Sequence, residues 1–170
     1  KHFCLGIDIS PTAIEAAEQL CSASPLCAGR RHQAQFITAD FLQMPSTSRF
    51  FSSPQVTETI VAETSGSVGI RIGQFDFGFD YTFLSCLPPE LRGDWAAAHH
   101  RALRVGGLLA TLVFPLGKWR GGPPYSQSVE LTSSLLKPLG FEKVFEKPAE
   151  TSAQKSRLGR ETMVLWKKLR

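Results

Sequence analysis

Apolar and polar positions along the chain follow two patterns, strand-like runs and helical spacing. The two patterns take turns along the sequence, which predicts strands separated by helices. Short apolar or alternating runs are typical of strands. The expected strands are 3–9, 34–39, 75–79, 108–114, 141–146 and 161–168. Strands that alternate with helices predict an α/β fold with a mostly parallel sheet. The last two strands have no helix between them, so we expect them to be antiparallel neighbours.

Apolar residues recur at helical spacing in three intervening segments. The expected helices run from Pro11 to about Cys21, from Pro89 to a stop at Gly106–Gly107, and from Ser126 to Leu136. Ser10 is a good N-cap, and proline suits the first helical position because its missing N–H is not needed there. Trp95 lies on the apolar, core-facing stripe of the second helix.

The segment 46–73 differs from the rest of the chain in being rich in Ser, Thr, Gly and Val. It is too long for an ordinary connection. Its β-prone runs, 59–63 and 68–72, predict a surface hairpin, and a disordered loop is the alternative. With 170 residues, of which 42% are hydrophobic, we interpret 1–170 as one domain with an insertion at about 46–73.

Composition excludes several classes of protein. The net charge of +4 is small and the basic residues are spread along the chain, which argues against nucleic-acid binding. No run approaches the ~20 apolar residues of a membrane span. The four cysteines lack a paired or C-x-x-C spacing, so we expect reduced, mostly buried thiols of a cytoplasmic protein. We also expect a monomer.

Three predicted strands end on an acidic residue: Asp8, Asp40 and Asp80. Ligands of open parallel sheets bind at the carboxyl ends of the strands. A carboxylate such as Asp8 offers two acceptor oxygens to the vicinal diol of a ribose. Asp40 could accept a hydrogen bond from an adenine amino group while Phe41 covers the base. The alternative is that each acid merely ends a strand.

His99 and His100 are adjacent in a predicted helix. Neighbouring helical positions point about 100 degrees apart, so the two cannot bind one metal ion together. We expect a surface or partly buried pair, and no metal site is evident elsewhere in the sequence.

The stretches "GIDISPTAIEAA", "ITADFL", "FDYTFLSCLPPELRGDWA", "GGPPYS" and "GRETMVLWKK" resemble the S-adenosylmethionine-dependent halide/thiol methyltransferases of the thiopurine methyltransferase superfamily. The resemblance covers nearly the whole chain outside 46–73. It implies a class I, Rossmann-like three-layer α/β sandwich with an antiparallel closing strand. It also implies methyl transfer from S-adenosylmethionine to halide, thiocyanate, hydrosulfide or another thiol, with S-adenosylhomocysteine as the product.

The resemblance also assigns roles to individual residues. It implies that Asp8, with Ile9 beside it, binds the cofactor's ribose and that Asp40 and Phe41 lie at the adenine. Asp80 and Tyr81 would face the methionine part of the cofactor and the reacting methyl. Tyr81 and Tyr125, the latter in the GGPPY loop, are candidate walls of the acceptor pocket. The nucleophile arrives ionised, so no catalytic acid or base is required.

The family's N-terminal helices, first strand and Gly-x-Gly loop have no counterpart in 1–170. The chain is therefore expected to be a partial methyltransferase that is inactive alone. Two alternatives are a non-catalytic methyltransferase-like interaction module and a nicotinamide-dependent dehydrogenase. The paired closing strands and Asp40–Phe41 argue against the dehydrogenase.

Overall fold

The computed structural model describes residues 3–27, 33–44, 49–51, 69–71, 73–150 and 155–170. The chain divides into two compact units, Lys1–Ile72 and Gly73–Arg170, which are treated separately below. The expectation of a single domain with an insertion stays a prediction. No helix in these ranges is both long and apolar enough to cross a membrane.

In the first unit, two parallel strands flank a helix. The strands are β1 (Cys4–Asp8) and β2 (Ala34–Thr38), and the helix is α1 (Pro11–Ala23). Asp8 lies opposite Thr38 in the ladder. The predicted cap is confirmed, because Ser10 Oγ accepts a hydrogen bond of 3.3 Å from the backbone N of Ala13. That cap and Pro11 fix where the chain leaves β1 and becomes helical.

The first unit also contains a short antiparallel pair, β3 (Arg49–Phe51) and β4 (Gly69–Arg71). The second arm of the predicted hairpin, 68–72, overlaps β4. Among the described residues, β4 pairs with Arg49–Phe51, and the predicted hairpin stays a prediction. The predicted first arm, 59–63, lies outside the described residues.

The second unit is built on a four-stranded sheet. In chain order its strands are β5 (Phe75–Tyr81), β6 (Leu103–Val113), β7 (Phe141–Pro148) and β8 (Thr162–Lys168). Their spatial order is β5-β6-β8-β7. β5 and β6 are parallel, while β8 runs antiparallel to both β6 and β7. The predicted antiparallel closing pair is therefore confirmed.

The described part of this unit contains three α-helices: α2 (Phe83–Cys86), α3 (Arg92–Ala102) and α4 (Val129–Leu136). The predicted stop of α3 at Gly106–Gly107 was wrong, because Leu103 already pairs with Phe75 in the sheet. Gly106 instead adopts a φ of +80° within β6, near an irregularity of the β5–β6 register. A Cβ at Gly107 would lie 2.9 Å from the Arg104 carbonyl oxygen. These glycines therefore allow the irregular backbone of β6 and do not end the helix.

The core of the second unit lies between the sheet and its helices. Trp95, Leu109, Leu136, Val164 and Trp166 are each completely buried. The Trp166 indole donates a hydrogen bond of 3.0 Å to Thr111 Oγ1. An indole N–H usually finds an acceptor when it is buried, so this bond fixes the face of β8 that packs inward.

Lys168, at the end of β8, is bonded to the carboxyl end of α3. Its Nζ donates to the carbonyl oxygens of His100, at 2.6 Å, and Leu103, at 2.9 Å. A cation is favourable there because the last carbonyl groups of a helix lack intrahelical partners. Removal from water lowers the pKa of Lys168. The bonds tie the last strand to the helix that leads into β6.

The expectation of mostly buried cysteines was wrong. Cys4 and Cys86 are exposed, Cys21 and Cys27 are half-buried, and all four are free thiols. Cys4 and Cys86 occur in strongly apolar stretches of sequence, but they lie at positions from which the side chain reaches solvent. Apolar surroundings in sequence therefore did not predict burial here.

His99 is more buried than the sequence predicted. It is 7% exposed, and its ring makes an edge contact with Trp95 at a centroid distance of 5.0 Å. Burial lowers the pKa of His99 from 6.5 to about 3. The ring is therefore neutral in the folded protein at any physiological pH, whereas the unfolded chain binds a proton below about pH 6.5.

We expect the free energy of unfolding to fall by up to about 1.4 kcal/mol per pH unit between pH 6.5 and pH 3 because of His99 alone. Urea unfolding at pH 7 and pH 5 measures this, and His99→Gln should flatten the dependence. The control is His100→Gln, since that half-buried ring bonds the carbonyl oxygen of Arg170 at 3.0 Å. An unchanged pH dependence in His99→Gln would contradict the assignment.

Candidate functional site

Asp8 is the last residue of β1, and Ile9 directly follows it. Asp8 is exposed, and its Oδ1 accepts a hydrogen bond of 2.8 Å from the backbone N of Ser10. Within the described residues no hydrogen bond involves the other carboxylate oxygen. Ile9 is 70% exposed, which leaves a large apolar side chain beside a carboxylate that retains acceptor capacity.

Asp40 and Phe41 occupy the matching place after β2. Asp40 is exposed, and its Oδ1 accepts a hydrogen bond of 2.9 Å from the backbone N of Leu42. Because β1 and β2 are parallel and Asp8 lies opposite Thr38, Asp8 and Asp40 share one edge of the sheet. The structure thus brings the four residues predicted at ribose and adenine to one edge, and their binding roles stay predictions.

Asp80 belongs to the second unit and is almost completely buried, at 4% exposure. Its carboxylate accepts three hydrogen bonds: from Trp95 Nε1 at 2.6 Å, from Phe83 N at 3.0 Å and from Leu84 N at 3.2 Å. Burial raises the pKa of Asp80, and these hydrogen bonds oppose that rise. The carboxylate therefore serves the turn after β5 and the start of α2, rather than presenting both oxygens to solvent.

The turn beside Asp80 has an uncommon backbone conformation. Thr82 has a φ of 68°, which is costly for a β-branched residue. The hydrogen bonds from the next two backbone N–H groups to Asp80 hold the turn in place. The adjacent Tyr81 remains 51% exposed at the end of β5. Backbone strain of this kind is often found where a side chain must be positioned for function.

Tyr81 contacts a residue that the sequence analysis missed. Arg157 Nη1 donates a hydrogen bond of 2.8 Å to the Tyr81 hydroxyl oxygen. The Arg157 guanidinium carbon lies 5.4 Å from the centre of the Tyr81 ring and 4.5 Å from that of Phe114, which follows β6. Arg160 lies 5.9 Å from the Phe114 ring centre. The one sequence signal for this cluster is weak: a basic segment between the last two strands.

Tyr125 is half-buried in the loop between β6 and α4. Its backbone N donates a hydrogen bond of 2.7 Å to the carbonyl oxygen of Ser85 in α2. The Arg92 guanidinium carbon lies 6.0 Å from its ring centre. The GGPPY loop is therefore anchored to the helix that begins after Asp80, which places both predicted acceptor-pocket tyrosines around one short helix.

A small cavity of about 10 Å³ lies at the carboxyl ends of β5 and β6. Its polar lining includes Asp80, Ser85, Thr111, Gln127 and Thr132. A volume of this size corresponds to about one water molecule. No group of three or more metal-binding side chains is found in the part of the chain that the structure describes.

Comparison with solved structures identifies the fold. A SAM-dependent methyltransferase from Methanosarcina mazei superposes with a TM-score of 0.67 and 17% identity, covering 97% of this chain and 81% of the other. A 1,6-didemethyltoxoflavin-N1-methyltransferase from Burkholderia thailandensis, solved with S-adenosylhomocysteine, superposes with a TM-score of 0.57 and 13% identity. The match covers 100% of this chain and 72% of the other. The chain has the class I methyltransferase fold, as predicted.

Residues 1–168 match the family model of thiopurine S-methyltransferase, and the chain belongs to that family. "Probable thiol methyltransferase 2" of Arabidopsis thaliana is 32% identical, with 96% of this chain and 59% of that protein covered. "Thiocyanate methyltransferase 1" of Brassica oleracea is 28% identical, with 99% of this chain and 62% of that protein covered. The chain thus spans about 60% of the length of the curated relatives that it matches.

We expect Trp95→Phe to lower the free energy of unfolding by about 1.5–3 kcal/mol, because the buried Asp80 carboxylate loses its indole donor. Urea denaturation measures the loss. Trp119→Phe is the matched control, since that side chain is 39% exposed.

A double-mutant cycle separates the hydrogen bond from packing. Trp95→Phe should cost less in an Asp80→Asn background, where no charge depends on the indole. Equal cost in both backgrounds would show that packing alone explains the loss.

Proposed function

We propose that the protein containing this chain transfers a methyl group from S-adenosylmethionine to a small anionic nucleophile. Membership of the thiopurine S-methyltransferase family supports the reaction type. The names of two relatives, a thiol and a thiocyanate methyltransferase, favour a sulfur-containing acceptor. The structural observation that carries the proposal is the pair of exposed carboxylates, Asp8 and Asp40, at neighbouring ends of parallel strands.

The residues at the β1–β2 edge fit the adenosine half of that cofactor. Asp8 has one oxygen committed to Ser10 and one left to accept from a ribose hydroxyl. Asp40 likewise retains an oxygen beyond its bond to Leu42. The exposed Ile9 and the half-buried Phe41 supply apolar surface for a purine ring. Polar groups that fix orientation beside apolar walls are typical of cofactor sites.

When bound, S-adenosylmethionine supplies a sulfonium-activated methyl group. Thiocyanate, hydrosulfide and halide ions are already ionised, so this chain needs no general base for a displacement. Its residues must instead align the nucleophile and exclude water from it. In this proposal the Tyr81 and Tyr125 rings form part of the acceptor pocket, and Asp80 acts through the turn that positions Tyr81.

We expect Asp8→Asn to weaken binding of S-adenosylhomocysteine about tenfold or more, because a charge-assisted hydrogen bond is lost. Asparagine can still accept from Ser10, so the local turn is kept. Calorimetry with S-adenosylhomocysteine measures the change, and Glu15→Gln on the exposed face of α1 is the control. Equal affinity in Asp8→Asn and the unmodified protein would refute the ribose assignment, and binding of NAD alone would refute the reaction.

We also expect the natural gene product containing this chain to convert thiocyanate, hydrosulfide or iodide into its methylated form. Headspace gas chromatography with S-adenosylmethionine as the donor measures the products. Tyr125→Phe should change the KM for the anion while leaving cofactor affinity within about twofold, because the ring is retained. A gene product that binds the cofactor but methylates none of these anions would contradict the proposed acceptor class.

A further inference from the structure

The connection between β7 and β8 brings two arginines to the carboxyl ends of β5 and β6. Tyr81 is the last residue of β5, and Phe114 directly follows β6. Arg157 closes a short 3₁₀ turn, Lys155–Arg157, and lies against both rings. Arg160 lies at the same Phe114 ring. Ligands of parallel strands bind at this end of the sheet.

Among the described residues, no carboxylate forms an ion pair with either guanidinium. The described ion pairs involve Arg104, Lys143 and Lys147, and neither Arg157 nor Arg160 belongs to any of them. The next acid along the chain, Glu161, is 5% exposed and is likewise in no described ion pair. Two guanidiniums near one aromatic ring repel each other, so an anion that contacts both would be bound favourably.

The Tyr81 hydroxyl is prepared to donate to such an anion. Its oxygen accepts from Arg157 Nη1, and no described residue accepts from its own O–H. A tyrosine hydroxyl can do both at once. The hydroxyl hydrogen is therefore available to a bound ion, and the contact with a guanidinium makes it a better donor.

We propose that Arg157, Arg160 and the Tyr81 hydroxyl form the binding site for the anionic methyl acceptor. The inference rests on the proposed function for the identity of the ion. A guanidinium is more weakly hydrated than an ammonium group and is held here between aromatic faces, which suits a polarisable ion such as thiocyanate. The arginines would gather the ion and reduce its hydration, and they take no part in bond making.

Thiocyanate binding to the chain in the absence of cofactor tests this inference directly. Titration with sodium thiocyanate, at constant ionic strength kept with sodium fluoride, is followed by chemical shifts of the tyrosine rings. We expect Arg157→Gln and Arg160→Gln each to weaken binding about tenfold, and Tyr81→Phe to weaken it several-fold. Arg157→Lys should fall between Arg157→Gln and the unmodified chain, because the charge is kept and the planar fork is lost.

The matched control is Arg104→Gln, which removes the same charge at an exposed ion pair with Asp76. Equal weakening in Arg104→Gln, or unchanged binding in both Arg157→Gln and Arg160→Gln, would overturn the site. Binding of S-adenosylhomocysteine is measured in parallel and should stay within about twofold in the arginine variants. A natural gene product containing this chain that binds thiocyanate through these arginines but does not bind S-adenosylhomocysteine would overturn the proposed function and leave the anion site standing.

Discussion

The buried Asp80 carboxylate is the constraint on which the second unit's candidate site depends. A carboxylate removed from water is costly unless donors surround it, and Asp80 has an indole N–H and two backbone N–H groups. The indole belongs to Trp95 in α3, and the backbone donors belong to the first turn of α2. One charged group therefore connects the end of β5 to two helices.

This arrangement explains why the chain between β5 and α3 forms a turn and the short helix α2 rather than a direct connection. The chain must reverse direction within a few residues to bring two backbone N–H groups to Asp80, and Thr82 takes an unfavourable φ to do so. The reversal leaves Tyr81 facing outward, where the β7–β8 connection reaches it. One turn later, the carbonyl oxygen of Ser85 accepts a hydrogen bond from the backbone N of Tyr125, which anchors the GGPPY loop. The two tyrosines that the family resemblance predicts, Tyr81 and Tyr125, are thus organised by a carboxylate that is itself turned inward.

Local signals in the sequence predicted local structure well. Ser10 and Pro11 determined the start of α1, and the missing helix between the last two strands required an antiparallel pair. Features that depend on distant contacts were not predictable. The glycines at 106 and 107 resembled a helix stop, but pairing of Leu103 with Phe75 ended the helix earlier. Arg157 reaches a tyrosine 76 positions away, and no periodicity encodes such a contact.

The sheet order has a consequence for how the second unit is assembled. β8 is the last of its four strands in sequence, yet it lies between β6 and β7. β7 therefore has no partner in the sheet until β8 has been synthesised and inserted. The contacts that β8 brings, from Trp166 to Thr111 and from Lys168 to Leu103, span 55 and 65 positions. Such non-local contacts slow folding, so β7 should stay unpaired during much of that time, and its Glu and Lys residues and Pro148 would protect it from pairing with other chains.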